Sequence, residues 1–160
     1  MNRWGVAGGE LSMPRKISEL SAPERQFLLQ QVRQIYERAG ADIAQAGPVC
    51  IASGKCCRFK EYGHTLFISN LEAAVLLASC PPYETPTLSD FCPFQRDKLC
   101  TARDQRPLGC RIYFCDPTYQ STSYALTEKY LRELKELAEL MGVEWCYAPL
   151  HQFLNAQVEL

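Results

Sequence analysis

The sequence predicts an α+β fold, mainly helical: a small single domain whose loop-rich centre is tied together through its cysteines. Three observations predict it. Two Ser-x-x-Glu boxes, at Ser21 and Ser69, each open an apolar stretch with helical spacing, and a longer amphipathic stretch follows near residues 123–141. Strand formers at Thr65-Leu66-Phe67-Ile68 and a hairpin-like segment bracketed by Cys92 and Cys100 lie between the helices. Eight of the nine cysteines fall between residues 50 and 115, and seven of these, all but Cys80, sit in turn-rich segments where helical periodicity gives out.

Residues 1–17 carry Gly5, Gly8, Gly9 and Pro14 with little apolar pattern, and are expected to form a flexible tail before a domain spanning 18–160. Ser21-Ala22-Pro23-Glu24 is a capping box with proline in the first turn. Leu28, Val32, Ile35 and Ala39 then recur at helical spacing, widened by Phe27 and Tyr36. Gly40 is the expected stop, with a further short turn through Ile43 before Gly47-Pro48. The second box, Ser69-Asn70-Leu71-Glu72, opens a buried helix of about ten residues that Pro81-Pro82 halts. From Pro81 to Pro117 the chain is rich in Pro, Asp and Cys without helical period, so core burial alone would not offset its ordering entropy. An internal metal staple would supply what the sparse apolar content does not. In the last helix Leu126, Tyr130, Leu134, Leu137 and Met141 line one side with Leu131 and Ala138, and Gly142 ends it. The aromatic run from Val143 to Leu150 is expected to pack back onto the domain.

Composition narrows the function classes. The 160 residues are 47% apolar and 22% charged, ordinary for a soluble globular domain. A net charge of −1 gives no electrostatic case for nucleic acid or an anionic membrane as partner. No run approaches the roughly 18 apolar residues that span a bilayer. The start, MNRWGVAGGELSMPRK, has no continuous hydrophobic segment of the kind a secretory signal needs, so a cytoplasmic protein is expected. Thiols stay reduced there, and nine cysteines cannot all pair internally, so metal or redox chemistry outranks a disulfide framework.

The clustered cysteines are Cys50, Cys56, Cys57, Cys92, Cys100, Cys110 and Cys115. Thiolates are soft, charged donors that suit Zn²⁺ and iron. A closed zinc site takes four ligands and a 4Fe-4S cluster usually four cysteines, so seven thiols exceed either need. No CxxC knuckle occurs, so ligands must converge from several loops. Arg58, Arg106 and Arg111 lie beside the thiols and are candidates to bind the cofactor by donating to sulfur and offsetting its charge. Phe59, Phe91, Phe94, Tyr113 and Phe114 are candidates for a dry shell. His64 is weighed as a ligand or base but suits a surface or strand-start role better. Cys80 and Cys146 read as small buried hydrophobes. Asp90 and Asp116 flank cysteines and read either as loop caps or, for one of them, as a further ligand completing a coordination sphere. No paired carboxylates or Ser-His-Asp set stands out.

The order CxxxxxCCR, CPFxxxxxC, RPxxCRxYxC over residues 50–117 resembles the CxxCxxCC cysteine-cluster family, also called YkgJ-type proteins. The match runs through Cys50, Cys56, Cys57, Arg58, Cys92, Pro93, Phe94, Cys100, Arg106, Pro107, Cys110, Arg111 and Cys115, with Cys50 set farther from Cys56 than in the short forms. The resemblance implies a zinc- or iron-chelating domain in a bacterial-type cytoplasmic protein. A similar cluster in flagellin lysine methylases implies a modification role as well, although the usual glycine-rich methyltransferase loop is missing here. Three readings therefore stand: a holder of an iron–sulfur cluster or zinc that serves redox chemistry or metal handling with a redox or protein partner; a cluster-dependent enzyme acting on a small molecule or a protein side chain; and a zinc-stapled adaptor.

Overall fold

The computed structural model describes residues 13–51 and 53–156. Among them are six α-helices and two small antiparallel sheets of two strands each, a mainly helical α+β fold. Helix α1 (Ala22–Ala46) starts where the capping box places it: Ser21 N donates to Glu24 Oε2 at 2.8 Å and Ser21 Oγ accepts from Glu24 N at 3.4 Å. The helix does not stop at Gly40. It runs on until Gly47, whose φ of +65° supplies the left-handed cap. A mid-helix glycine costs only about 1 kcal/mol, and burial of Ala39 and Ile43 on the same face offsets it. Phe27, expected in the apolar stripe, lies 47% exposed.

Residues 1–12 of the expected tail lie outside the described residues. The remainder of that stretch is docked: Arg15 N donates to Gly142 O at 2.8 Å, Glu144 N donates to Arg15 O at 2.9 Å, and Ile17 is buried. The flexible tail therefore does not extend to residue 17.

After a single turn, α2 (Phe59–Tyr62), the chain enters β1 (Phe67–Ser69) and α3 (Asn70–Ser79). The second capping box is present, with Ser69 N donating to Glu72 Oε2 at 2.7 Å. Strands β2 (Gln95–Arg96) and β3 (Leu99–Cys100) form the expected hairpin. Its two turn residues, Asp97 and Lys98, both take positive φ, the mirror-image turn whose twist matches a two-residue hairpin. The stretch read as helix-free contains a short helix, α4 (Leu108–Ile112), whose five residues are too few to display a period. Helix α5 (Gln120–Leu140) buries Tyr130, Leu134, Leu137 and Ala138, the side read from the sequence. β4 (Tyr147–Pro149) then pairs with β1 and leads into α6 (Leu150–Asn155), so the aromatic run folds back as expected.

Two apolar cores result. The first joins α1, α5 and α4 through Leu28, Val32, Ile35, Tyr130, Leu134 and Ile112, and holds no cysteine. The second gathers Phe59, Ile68, Phe94, Leu150 and Phe153 around Cys57 and Cys92. Helix α3 is the wall between them. Leu71 and Val75 face the first core, while Ala73 and Leu76 face the second. Its near-continuous apolar sequence is what burial on two sides requires.

Candidate metal centre

Backbone pairing assembles the site from segments far apart in sequence. A 3-10 turn over Lys55–Cys57 follows Gly54, which takes φ +71°. Cys57 O accepts from Cys92 N at 2.8 Å, and Asp90 O accepts from Lys60 N at 2.9 Å. These two bonds lay the vicinal-cysteine turn against the start of the hairpin. Gln95 Nε2 donates to Gly54 O at 2.9 Å, fixing the other side. A Cβ on Gly54 would lie 2.7 Å from Gln95 Nε2 and 3.1 Å from Lys98 Cα, so only glycine permits this approach.

Cys110 arrives on α4, which a buried carboxylate positions. Glu72, 2% exposed, accepts from Ser69 N through Oε2 and from Leu108 N through Oε1, each at 2.7 Å. It thus caps α3 and holds the start of α4 at once. Burial raises its carboxyl above the usual range, against the pull of the Ser69 and Leu108 backbone bonds. Cys115 lies beyond the end of α4, with Sγ 3.6 Å from Ser53 Oγ and 3.8 Å from Tyr113 Oη.

All seven clustered cysteines line one cavity of about 100 Å³. Cys80 and Cys146 do not line it. Cys57 and Cys92 are buried, Cys56, Cys100 and Cys110 are half-buried, and Cys50 and Cys115 are exposed. No cysteine among the described residues is in a disulfide. Cys56 Sγ and Cys57 Sγ stand 3.9 Å apart. Cys146 is exposed, not the buried hydrophobe its aromatic neighbours suggested, and Cys80 is half-buried.

The thiols restrain one another. The hydrogen bond to Cys57, then burial and the charge Cys57 would carry, push the Cys56 thiol far above its ordinary range. At Cys57 the bond from Cys56 pulls down. The bond to Cys92, burial and the neighbouring Cys92 and Cys100 outweigh it, so that thiol is pushed up to about 12. Burial, followed by Cys57, Cys56 and Cys100, raises Cys110. Cys110 keeps some accessible surface because it faces the cavity, yet dense surroundings make its ionisation costly. A coordinated metal deprotonates thiols outright. Among the described residues no three His, Cys, Asp or Glu side chains stand in a ready-made arrangement around one ion.

The three candidate arginines separate. Arg106 lines the cavity, with Nε donating to Arg103 O at 3.0 Å. Arg58 is turned to Glu61 at 3.0 Å and Ser53 O at 3.0 Å, over the Tyr62 ring. Arg111 donates to the carbonyls of Arg106 and Asp104 at 2.6 Å each and stacks 4.3 Å from the Tyr36 ring centre. Both brace the loops around the site; neither lines the cavity. The cations that do, besides Arg106, are Lys98 and Arg103, which sequence reasoning passed over. Their signal was a hairpin-turn position two residues before Cys100 and a place three residues beyond it.

Of the expected aromatic shell, Phe94, Tyr113 and Phe114 line the cavity, Phe59 packs behind it, and Phe91 is 55% exposed. His64 sits at the edge of Phe59 and places Nε2 3.3 Å from Cys56 O, outside the cavity lining. Asp116 caps its turn by accepting from Thr118 N at 2.9 Å, whereas Asp90 pairs with Lys60 at 3.3 Å. No protein-family model, curated protein or solved structure matches this chain.

Proposed function

We propose that this protein holds a thiolate-ligated metal centre and serves metal or cluster handling, or redox chemistry, in a reducing compartment such as the cytoplasm. One observation carries the reading: the seven cysteines singled out in sequence line a single cavity, and the other two do not. Cys56, Cys57, Cys92, Cys100 and Cys110 form the inner donor set, with Cys50 and Cys115 at the rim. When bound, the centre would supply either an electron-transfer couple or a Lewis-acidic ion.

The cavity volume favours an iron–sulfur cluster. A water needs about 10–15 Å³, and a single closed zinc site needs no free space beyond the ion, so about 100 Å³ suits a larger inorganic core. The charge of the lining agrees. Lys98, Arg103 and Arg106 are its charged side chains besides the thiols, and a cluster with four thiolates is anionic. Zinc is the second reading, favoured by the spacing of Cys56 and Cys57. At Zn–S of about 2.3 Å the edge of a sulfur tetrahedron is about 3.8 Å, close to the observed 3.9 Å. The resemblance to YkgJ-type cysteine-cluster proteins leads to the same pair of metals.

Anaerobic purification with iron, sulfide and zinc analysis tests the proposal. Brown protein with stoichiometric iron and acid-labile sulfide supports the cluster; colourless protein with bound zinc supports the second reading. Replacement of Cys80 and Cys146 by Ser should leave metal content intact, while Cys110→Ser should reduce it. Protein that takes up neither metal under reducing conditions sinks both readings.

A further inference from the structure

The cavity has more thiols than a centre needs, and they lie at different depths. Cys57 and Cys92 are each 6% exposed, Cys56, Cys100 and Cys110 are intermediate, and Cys50 and Cys115 are exposed. A tetrahedral ion or a 4Fe-4S cluster takes four protein thiolates, so the five inner cysteines already suffice.

The two outer cysteines share one lip. Ser53, three residues after Cys50, has its Oγ 3.6 Å from Cys115 Sγ, and Cys50 and Cys115 both line the cavity and are exposed. The Cys115 thiol donates to Tyr113 Oη at 3.8 Å, while in its contact with Ser53 Oγ either group can be the donor.

The cavity wall is cationic. The charged side chains on the cavity wall other than the thiols are Lys98, Arg103 and Arg106, with no carboxylate among them. Among the described residues the Lys98 and Arg103 side chains make no ion pair and no hydrogen bond, so their charge is not neutralised locally. Lys98 also holds φ +69° in a turn position that Asn or Gly occupies without strain. A bare dication approaching this lip meets repulsion, whereas an anionic complex meets attraction.

We propose that the lip is a ligand-exchange port: Cys50 and Cys115 accept metal delivered as an anionic thiolate complex, drawn in by Lys98, Arg103 and Arg106, and pass it to the inner thiols. The port rests on the metal-binding reading above. In the first exchange one bond from the metal to a carrier thiolate breaks and one bond to the Cys115 sulfur forms. The Cys115 thiol proton goes to the departing carrier thiolate. In the second exchange an inner thiol gives its proton to the Cys115 sulfur as the metal moves inward. No electrons are transferred.

The test loads the full, reduced, metal-free chain with zinc presented either as its glutathione complex, which is anionic, or as its imidazole complex, which is cationic. Uptake is followed in stopped flow with a chromophoric chelator. The Cys50→Ser/Cys115→Ser double variant should reach wild-type stoichiometry at least about tenfold more slowly from glutathione. Lys98→Asn/Arg103→Gln should slow delivery from glutathione and lose its salt dependence, with no slowing from imidazole. Wild-type uptake matched in rate by the cysteine double variant overturns the port alone. So does a double variant with reduced final stoichiometry, which would make Cys50 and Cys115 holding ligands. Wild-type protein that takes up no zinc from either source overturns the port, and the metal-centre reading falls with it only where iron and acid-labile sulfide are absent as well.

Discussion

Replacement of Glu72 by Ala should be among the most damaging single changes in the chain. The carboxylate accepts from two backbone donors, Ser69 N and Leu108 N, in a residue only 2% exposed. A buried donor left without a partner costs about 1–3 kcal/mol, so the pair costs about 2–6 kcal/mol. The lost methylene adds about 0.8 kcal/mol. The expected loss is thus about 5 kcal/mol, a large share of the 5–15 kcal/mol typical of a domain. At about 2–4 °C per kcal/mol the melting temperature should fall by about 10–20 °C. Glu72→Gln keeps one acceptor but turns an amino group toward the other donor, and should cost about half as much. Because the folded carboxyl is raised, its contribution is fully present below the unfolded value of about 4.3 and is lost as pH rises through the folded value. The advantage of wild type over Glu72→Gln should therefore be largest near pH 4 and shrink toward neutrality. Urea denaturation across that range is the assay. A loss under about 1 kcal/mol for the Ala variant, or an advantage growing with pH, would refute the account of Glu72 as a buried double cap.

Gly40→Ala should stabilise by about 0.5–1 kcal/mol, since the position is helical, exposed, and has nothing within 4 Å of an added Cβ; an unchanged or lower melting temperature would count against a continuous α1. Gly54→Ala should destabilise by about 1–3 kcal/mol through its positive φ and the close approach of Gln95 and Lys98, and metal uptake should weaken in parallel when both are measured. Asp42 accepts from Lys129 Nζ at 2.8 Å and Tyr130 Oη at 2.6 Å, which hold its carboxyl below the usual range. Its contribution is present above the unfolded value of about 3.9 and is lost as pH falls through the folded value. Wild type should thus lose stability in acid more steeply than Asp42→Asn, and parallel acid titrations with equal slopes would mean that the contact is idle.

Local features were legible and long-range ones were not. Ser21 with Glu24, and Ser69 with Glu72, announced two helix starts because a capping box is written within four residues. The side of α5 carrying Tyr130, Leu134 and Leu137 was equally open to reading, since its period repeats over five turns. Gly40 misled because composition shows the cost of a glycine but not the burial of Ala39 and Ile43 that offsets it. Helix α4 escaped because its start is stabilised by Glu72, a carboxylate from another helix. The seven cysteines grouped in the sequence are those that line the cavity. Their depths were not legible there, since these depend on the backbone bond from Cys92 to Cys57. Arg58 and Arg111 stood as near the thiols in sequence as Arg106 does. Only the direction of each side chain, toward Glu61 and Tyr62 or toward Tyr36, separates them.

The division of the interior by α3 carries a consequence for the life of the molecule before it is loaded. The half built on α1 and α5 contains no thiol and has no need of a ligand to close. The other half closes around Cys57 and Cys92 with a smaller set of buried apolar side chains. On the proposed metal-centre reading, newly made chain would therefore mature in two stages, a helical frame first and the thiol-bearing half on loading. Under that reading, unloaded chain would be open to proteases at one end and sheltered at the other, so its abundance would track metal supply.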